Sequence, residues 1–453
     1  MKPRFFMLLL IVTGIFTSAM DVREARHLLA RTSFGVTPKQ LALFSGFSRD
    51  HAINYILSNT QTKSTLAPID WMLEEDLRPP KPFNQLTEEE RRAFQTLRFN
   101  QTRQLKAWWA AEMVNTPSEF TEIMTMLWHN HFTSELQKVR VPHLMYRQDV
   151  LIRENALGNF ADLVQKMAKD PAMIIYLDNL TNVKDHPNEN FSRELLELFT
   201  LGEGNYTESD VKEAARAFTG WSVHPVTGLY RLNFLQHDFD NKVFMGEEGH
   251  FNGDDIINII LDQDRTAEFI TEKLWKVFIN NTPDEEGVKF LAAIFRDSGY
   301  ELKPLLTELF RSDYFWNEMD QGSLVKSPVE LMIGMLRTFS YPLPRNPTQY
   351  VGIARATAYL GQNLFDPPNV KGWEGGTDWI TTTTLLNRRS LIKDLLRLNE
   401  NGIAPFFFRS IPLDSAEQLS SWLLAVEPAG HIENEDLRIF ISNVLLDPAF
   451  QVK

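Results

Sequence analysis

Apolar residues recur at helical spacing along most of the chain. In "TPSEFTEIMTMLWHNHF" (116–132), residues 120, 124, 127, 128 and 131 fall on one stripe, which predicts an amphipathic helix. Thr116 as N-cap, Pro117 at the first helical position and Glu119 two further on give it a start signal. The same logic marks Thr87 with Glu90, Thr207 with Asp210, and Thr37 before Pro38. "TAEFITEKLWKVFIN" carries a stripe of Ile270, Leu274, Val277 and Phe278, with Glu272 and Lys276 spaced as an i,i+4 pair. "LLTELFRSDYFW" and "FISNVLLDPAFQ" read as two amphipathic helices that stop at Asp.

Three stretches break the pattern. Residues 59–86 are proline-rich and polar, which predicts a long loop. Within 222–255, Tyr230, Leu232 and Phe234 alternate as on a strand, and "KVFMG" follows, predicting a small β-hairpin excursion. Residues 341–382 hold "YPLPRNP" and "FDPPNVKGWEGGTDWI", loop chemistry with two tryptophans. The expected fold is mainly α: one large multi-helix domain over 21–453 with these three long loops.

Composition narrows the picture. Residues 1–19 have a basic start at Lys2 and Arg4, an apolar run from Phe5 to Phe16 and a small-residue exit, the anatomy of a signal peptide. The expected location is therefore periplasmic or secreted, with no membrane span after cleavage. Lys and Arg number 46 against 59 Asp and Glu, a net charge of −13, and loss of Lys2 and Arg4 makes it 44 against 59, or −15. So acidic a chain, without basic blocks, argues against nucleic acid as partner. It has no cysteine, so a metal site has to use histidine nitrogen and oxygen ligands. Nucleophile-elbow, phosphate-loop and zinc-helix motifs are absent from the sequence.

Four segments hold residues able to do chemistry. His129 and His131 sit two apart at a helix end; His131 lies on the apolar stripe, and His129 is rotated about 200° from it, toward Glu122 and Thr125. They face opposite sides and cannot share an ion from a regular helix, so His131 is the better ligand candidate. In "PNENFSRELLELF", Glu194 and Glu197 are neighbouring carboxylates, able to act as acid and base or to bridge a divalent ion. Arg193 is spaced to pair with Glu197, and Asn188 and Glu189 precede them as substrate-contact candidates. "LQHDFDNKVFMG" groups His237, Asp238, Asp240 and Lys242. In "DPPNVKGWEGGTDWI", Trp373 and Trp379 are either a stacking platform for sugar rings or buried pins that hold the loop. Each segment has a plain alternative as well: a core histidine with a surface one, a solvated helix face, a polar turn.

Taken together, "ARHLLARTSFGVTP", "WHNHFTSE", "PNENFSRELLELFTLGEGNYTESDVKEAARAFTGW", "HDFDNKVFMG", "VKSPVELM" and "YLGQNLFDPPNVKGWEGGTDWI" resemble the bacterial family called domain of unknown function 1800. The pattern departs at Asp240 and Met245, where Gly and Leu are expected, which weakens Asp240 as a site residue. The resemblance implies an exported, largely helical protein of unestablished activity. It also implies a partner, since members are often encoded beside a second family similar to alkaline phosphatases and sulfatases. The leading expectation is an envelope or extracellular hydrolase or lyase acting on a glycan or similar polymer. Glu194, Glu197, Arg193 and Asp238 would be catalytic, with Trp373, Trp379, Asn188, Glu189 and Lys242 on the substrate. A metal-dependent version places one divalent ion on His131, His237 and Glu194, with His129 as a further candidate. The alternative is a non-catalytic binding or assembly partner of the phosphatase-like protein.

Overall fold

The long helix Glu88–Asn115 opens with the capping box foreseen for it: Thr87 Oγ1 accepts from the Glu90 amide and Glu90 answers to the Thr87 amide. The computed structural model describes residues 18–79, 81–341, 344, 346–398, 416–430 and 437–453. The leader read over residues 1–19 falls almost wholly outside them. Helices make up about 60% of the described residues, which also hold two small two-stranded antiparallel sheets. Among the described residues no helix is long and apolar enough to cross a membrane.

Three short helices, Val22–Thr32, Pro38–Phe44 and Arg49–Ser58, lead into the irregular 59–86 segment, whose described residues include the two 3-10 turns Asp70–Leu73 and Phe83–Gln85. Glu88–Asn115 then packs on Val351–Tyr359 and Pro328–Thr338, and Glu119–His131 packs on Pro142–Asn155. Asp264–Phe278, Glu285–Asp297 and Leu302–Arg311 follow one another side by side, and the last returns against Arg49–Ser58. The first sheet pairs Trp221–Val223 with Tyr230–Leu232, and the second pairs Lys242–Phe244 with Glu247–Gly249. The expected single excursion is therefore two hairpins.

Three local expectations are corrected. The 119–131 helix starts at Glu119, not Pro117, because the Glu119 carboxylate is drawn away to the Phe34 amide (3.0 Å), Gln40 Nε2 (2.9 Å) and Arg337 Nε (2.9 Å). Glu272 pairs with Arg265 at 2.6 Å instead of with Lys276. The 341–382 loop contains the helix Val351–Tyr359, whose buried Ile353, Ala354 and Thr357 face the core; prolines on both flanks mask its short stripe.

Charge is buried with few partners beneath the 119–131 helix. Arg153, 1% exposed, donates from Nε and Nη2 to both oxygens of Glu122 (2.5 and 3.0 Å) and from Nη1 to Asp149 (2.6 Å). Trp109 Nε1 also donates to Glu122, at 3.0 Å. Two carboxylates thus share one guanidinium. Burial first, and the Glu122 charge after it, push Asp149 up to about 7 against the pull of Arg153. Asp170 caps Pro171–Tyr176 by accepting from the Met173 amide (2.9 Å) and Gln148 Nε2 (2.7 Å), and burial pushes it to about 7 as well.

Both folded values lie above the unfolded carboxylate value of about 3.9, so the folded state binds more protons between the two. The stability this gives is complete below about pH 4 and is lost as pH rises toward 7, by up to about 1.4 kcal/mol per pH unit for each group. Asp170→Asn keeps the acceptor and removes the charge. It is expected to flatten the fall in melting temperature between pH 4 and 7; a slope equal to wild type would contradict this assignment.

Candidate functional site

The segment "HNH" places a histidine among aromatic rings and two latches after it. His129 lies in a box of Trp109, Phe365 and Trp373, with ring centroids 5.1, 5.2 and 6.0 Å away. Among the described residues neither of its ring nitrogens has a hydrogen-bond partner, and burial holds its pKa down to about 3. Asn130 grips the backbone of Trp373 from both sides, accepting from its amide at 2.7 Å and donating to its carbonyl at 3.1 Å. His131 binds the Phe199 carbonyl through Nε2 at 3.0 Å among Trp128, Phe132 and Phe160, and burial drives its pKa well below the ordinary value.

The reading of one core and one surface histidine is thereby corrected: both are buried, because the face that a local stripe calls polar is covered by Trp109 and the 365–373 loop. A buried polar ring without partners stabilises little and costs about 1–3 kcal/mol in desolvation. His129→Phe is accordingly expected to leave the urea midpoint unchanged or raise it. A loss above about 1 kcal/mol would assign His129 a partner instead.

The Asn190–Glu194 helix runs on as a π-helical turn over Leu195–Thr200. Such turns leave carbonyls misaligned, and here side chains from elsewhere take them up. His131 holds Phe199 O, Lys273 Nζ holds Leu198 O at 3.0 Å, and Arg265 Nε holds Leu201 O at 3.1 Å. Arg193 does not pair with Glu197. Its guanidinium grips Glu208 with two bonds of 2.8 Å and reaches Glu189 at 3.1 Å, while Glu197 accepts from the Tyr206 hydroxyl at 2.7 Å. Arg193, Glu189 and Glu197 are thus engaged within the fold. Asn188 likewise accepts from the Asn190 amide and donates to Thr181 Oγ1, shaping its own loop.

Glu194 stays free. No hydrogen bond or ion pair among the described residues reaches its carboxylate, and burial followed by the Glu197 charge raises its pKa against Arg193 and Lys371. Glu135 is a second such group that the sequence reading passed over, although it ends the "WHNHFTSE" segment. It too is half-buried, no hydrogen bond among the described residues reaches its carboxylate, and its pKa is raised by burial and then by Asp366. Both act on the buried Tyr176 phenol, which burial pushes to about 12. Three signature segments thus meet here, supplying Glu135, Glu194 and the Asp366–Lys371 stretch. Asp366 itself is tied to Lys106 at 2.5 Å.

His237, Asp238 and Lys242 hold a turn together. His237 Nδ1 meets the Thr219 carbonyl at 2.7 Å, and Lys242, 1% exposed, donates to the Asp238 and Asp240 carbonyls at 2.7 and 3.0 Å. Burial alone would raise Asp238, but Arg216 Nε at 2.9 Å and the Asp240 amide at 2.8 Å outweigh it and hold its carboxyl below the usual range. Asp238 is therefore a fixed anion, not an acid–base partner for Glu194. Among the described residues, no three His, Asp or Glu side chains form a group able to hold a metal ion. The set of His131, His237 and Glu194 is not assembled, and His129 faces aromatic rings.

The aromatic loop builds a cavity. Gly372 has φ +83°, and a Cβ there would sit 2.2 Å from Asn130 Oδ1, so only glycine lets the loop close onto Asn130. Beyond it lies a cleft of about 270 Å³ between this loop and the 119–131 and 264–278 helices. Trp373, 5% exposed, forms its floor, while Trp379 on the Gly376–Trp379 turn is half-buried at its side. Asn130, Asn281, Gln362 and Glu374 add polar groups. Trp373 is thus chiefly the pin and Trp379 the accessible ring. Glu194 and Glu197 do not line this cleft.

Fold and site define a mainly helical protein with an aromatic and polar cleft and, apart from it, two carboxylates that no hydrogen bond reaches among the described residues. Residues 27–452 match the family described as Protein of unknown function (DUF1800), and the chain belongs to that family. Neither a curated protein nor a solved structure matches it.

Proposed function

We propose that this is an exported glycan-binding protein whose ligand, a polyhydroxylated polymer end or segment, lies in the 270 Å³ cleft against Trp379. The observation that carries this reading is a half-buried tryptophan at a cleft beside the Asn281 amide and the Glu374 carboxylate, the Asn130 and Gln362 amides being bonded within the fold. An aromatic face takes the C–H side of a sugar ring, and amides take its hydroxyls. Gly375 and Gly376, at φ +80° and +57°, bend the loop so that Gly375 lies beside the Trp379 ring edge and Gly376 beside the Asn281 amide. Titration of the chain with neutral oligosaccharides, followed by calorimetry and tryptophan fluorescence, tests it.

A catalytic extension, hydrolase or lyase, is favoured by Glu135 and Glu194, two carboxylates outside the cleft that both act on Tyr176. Two half-buried carboxylates with raised pKa and no hydrogen bonds are suited to supply an acid and a base. Glu194→Gln is expected to abolish release of reducing ends from a bound polysaccharide while the melting temperature holds within a few degrees. Full turnover in this variant would remove Glu194 from the chemistry; a large loss of melting temperature would make its role structural.

A further inference from the structure

Behind the cleft lies a smaller cavity of about 50 Å³, and the two meet at Phe34, Glu330 and Lys453. It is enclosed between the N-terminal helix, the Pro328–Thr338 helix and the 450–453 segment. In a chain of net charge −13 its surroundings are cationic. Arg26 and Lys326 line it with Lys453, and Arg31 and Arg388, both 0% exposed, stand behind.

The carboxylates do not balance them. Glu330 is already bonded to Lys453, and Asp320 acts on Arg31. Five basic side chains thus stand around two carboxylates among the described residues. Lys326 is the most exposed to this imbalance: Arg26, Lys453 and Arg388 all bear on it, and Glu330 alone opposes them. Burial first, then these charges, bring its pKa down to about 7. Its ammonium has one hydrogen bond, to the Phe450 carbonyl at 2.8 Å, and sits 4.0 Å over the Phe450 ring. Among the described residues, Nε and Nη1 of Arg31 and Nε of Arg388 have no hydrogen-bond partner, although these two side chains stand outside the cavity lining itself. Buried N–H donors left in this state are costly unless an acceptor arrives.

We infer that the inner cavity is an oxyanion subsite, formed by Lys326 and Arg26 with Arg31 and Arg388 behind them, which takes a carboxylate, sulfate or phosphate group. Resting on the reading of the cleft, the structure assigns that group to the saccharide, making the ligand an acidic glycan with its charge directed inward past Glu330. The size fits: about 50 Å³ is room for three or four waters, or for one such group. Lys326 serves both as ligand contact and as the group whose protonation the anion restores.

The test is calorimetric titration of the full chain at fixed ionic strength with three probes: a uronate- or sulfate-bearing oligosaccharide, its neutral counterpart, and free sulfate. The acidic sugar is expected to bind at one site at least 10-fold more tightly than the neutral one, and Lys326→Met is expected to erase the difference. Removal of a buried cation should not lower the melting temperature of this variant; if it fails to fold, Arg26→Met makes the same comparison. Equal binding of the two sugars overturns the oxyanion subsite and leaves the cleft reading standing. Saturable sulfate binding lost in Lys326→Met, with no binding of either sugar, supports the subsite and overturns the cleft reading. Binding of none of the probes overturns both.

Discussion

Replacing Arg153 with Met is expected to lower folding stability by about 3–5 kcal/mol, the cost of leaving buried carboxylates without their counter-ion. Arg153 supplies both bonds from a guanidinium to Glu122 and one to Asp149, and all three side chains are 1% exposed or less. Met keeps much of the packing over Trp108, whose ring lies 5.4 Å from the guanidinium carbon, so the loss is electrostatic. The double variant Glu122→Gln/Arg153→Met should recover at least about 1 kcal/mol, because one of the stranded charges is gone. Urea unfolding of the three proteins reads this directly. A loss below about 1 kcal/mol in Arg153→Met would mean that the network contributes specificity rather than stability.

The second large effect separates the two tryptophans. Trp379→Ala is expected to weaken saccharide binding by roughly 30-fold, about 2 kcal/mol, as for a ring at the centre of a contact. Its melting temperature should stay close to wild type, since the ring is only half-buried. Trp373→Ala should instead cost about 3–5 kcal/mol of stability, since it empties a site packed against His129 and clamped by Asn130. Fluorescence titration and thermal melts of the two variants give the comparison. Equal stability losses would show that Trp379 is also a pin, leaving the cleft without its exposed aromatic face.

The helices were legible where their signals are local. Capping boxes at Thr37, Thr87 and Thr207 form as the residue types require, because donor and acceptor lie within four positions of each other. Glu119 shows the limit: its nearest neighbours proposed a cap at Thr116, and three partners from other segments claimed its carboxylate. The site failed in the same way. Arg193 and Glu197 have ideal helical spacing, but the π-helical turn and the arrival of Glu208 and Tyr206 give each a different partner. His129 read as exposed because periodicity does not register a loop 240 residues away that folds over a helix. Glu135 and Lys326 were both present in the signature segments, yet nothing within a few residues marks either as unusual. Their character comes from what surrounds them in space.

The central claim is that the Trp379 cleft holds a saccharide. It is tested most directly by titrating the purified protein with a panel of neutral and acidic oligosaccharides and following calorimetric heat and tryptophan emission together. The account predicts saturable one-site binding to at least one member, with an emission change that vanishes in Trp379→Ala. Heat without any emission change, or binding that survives Trp379→Ala undiminished, would contradict it.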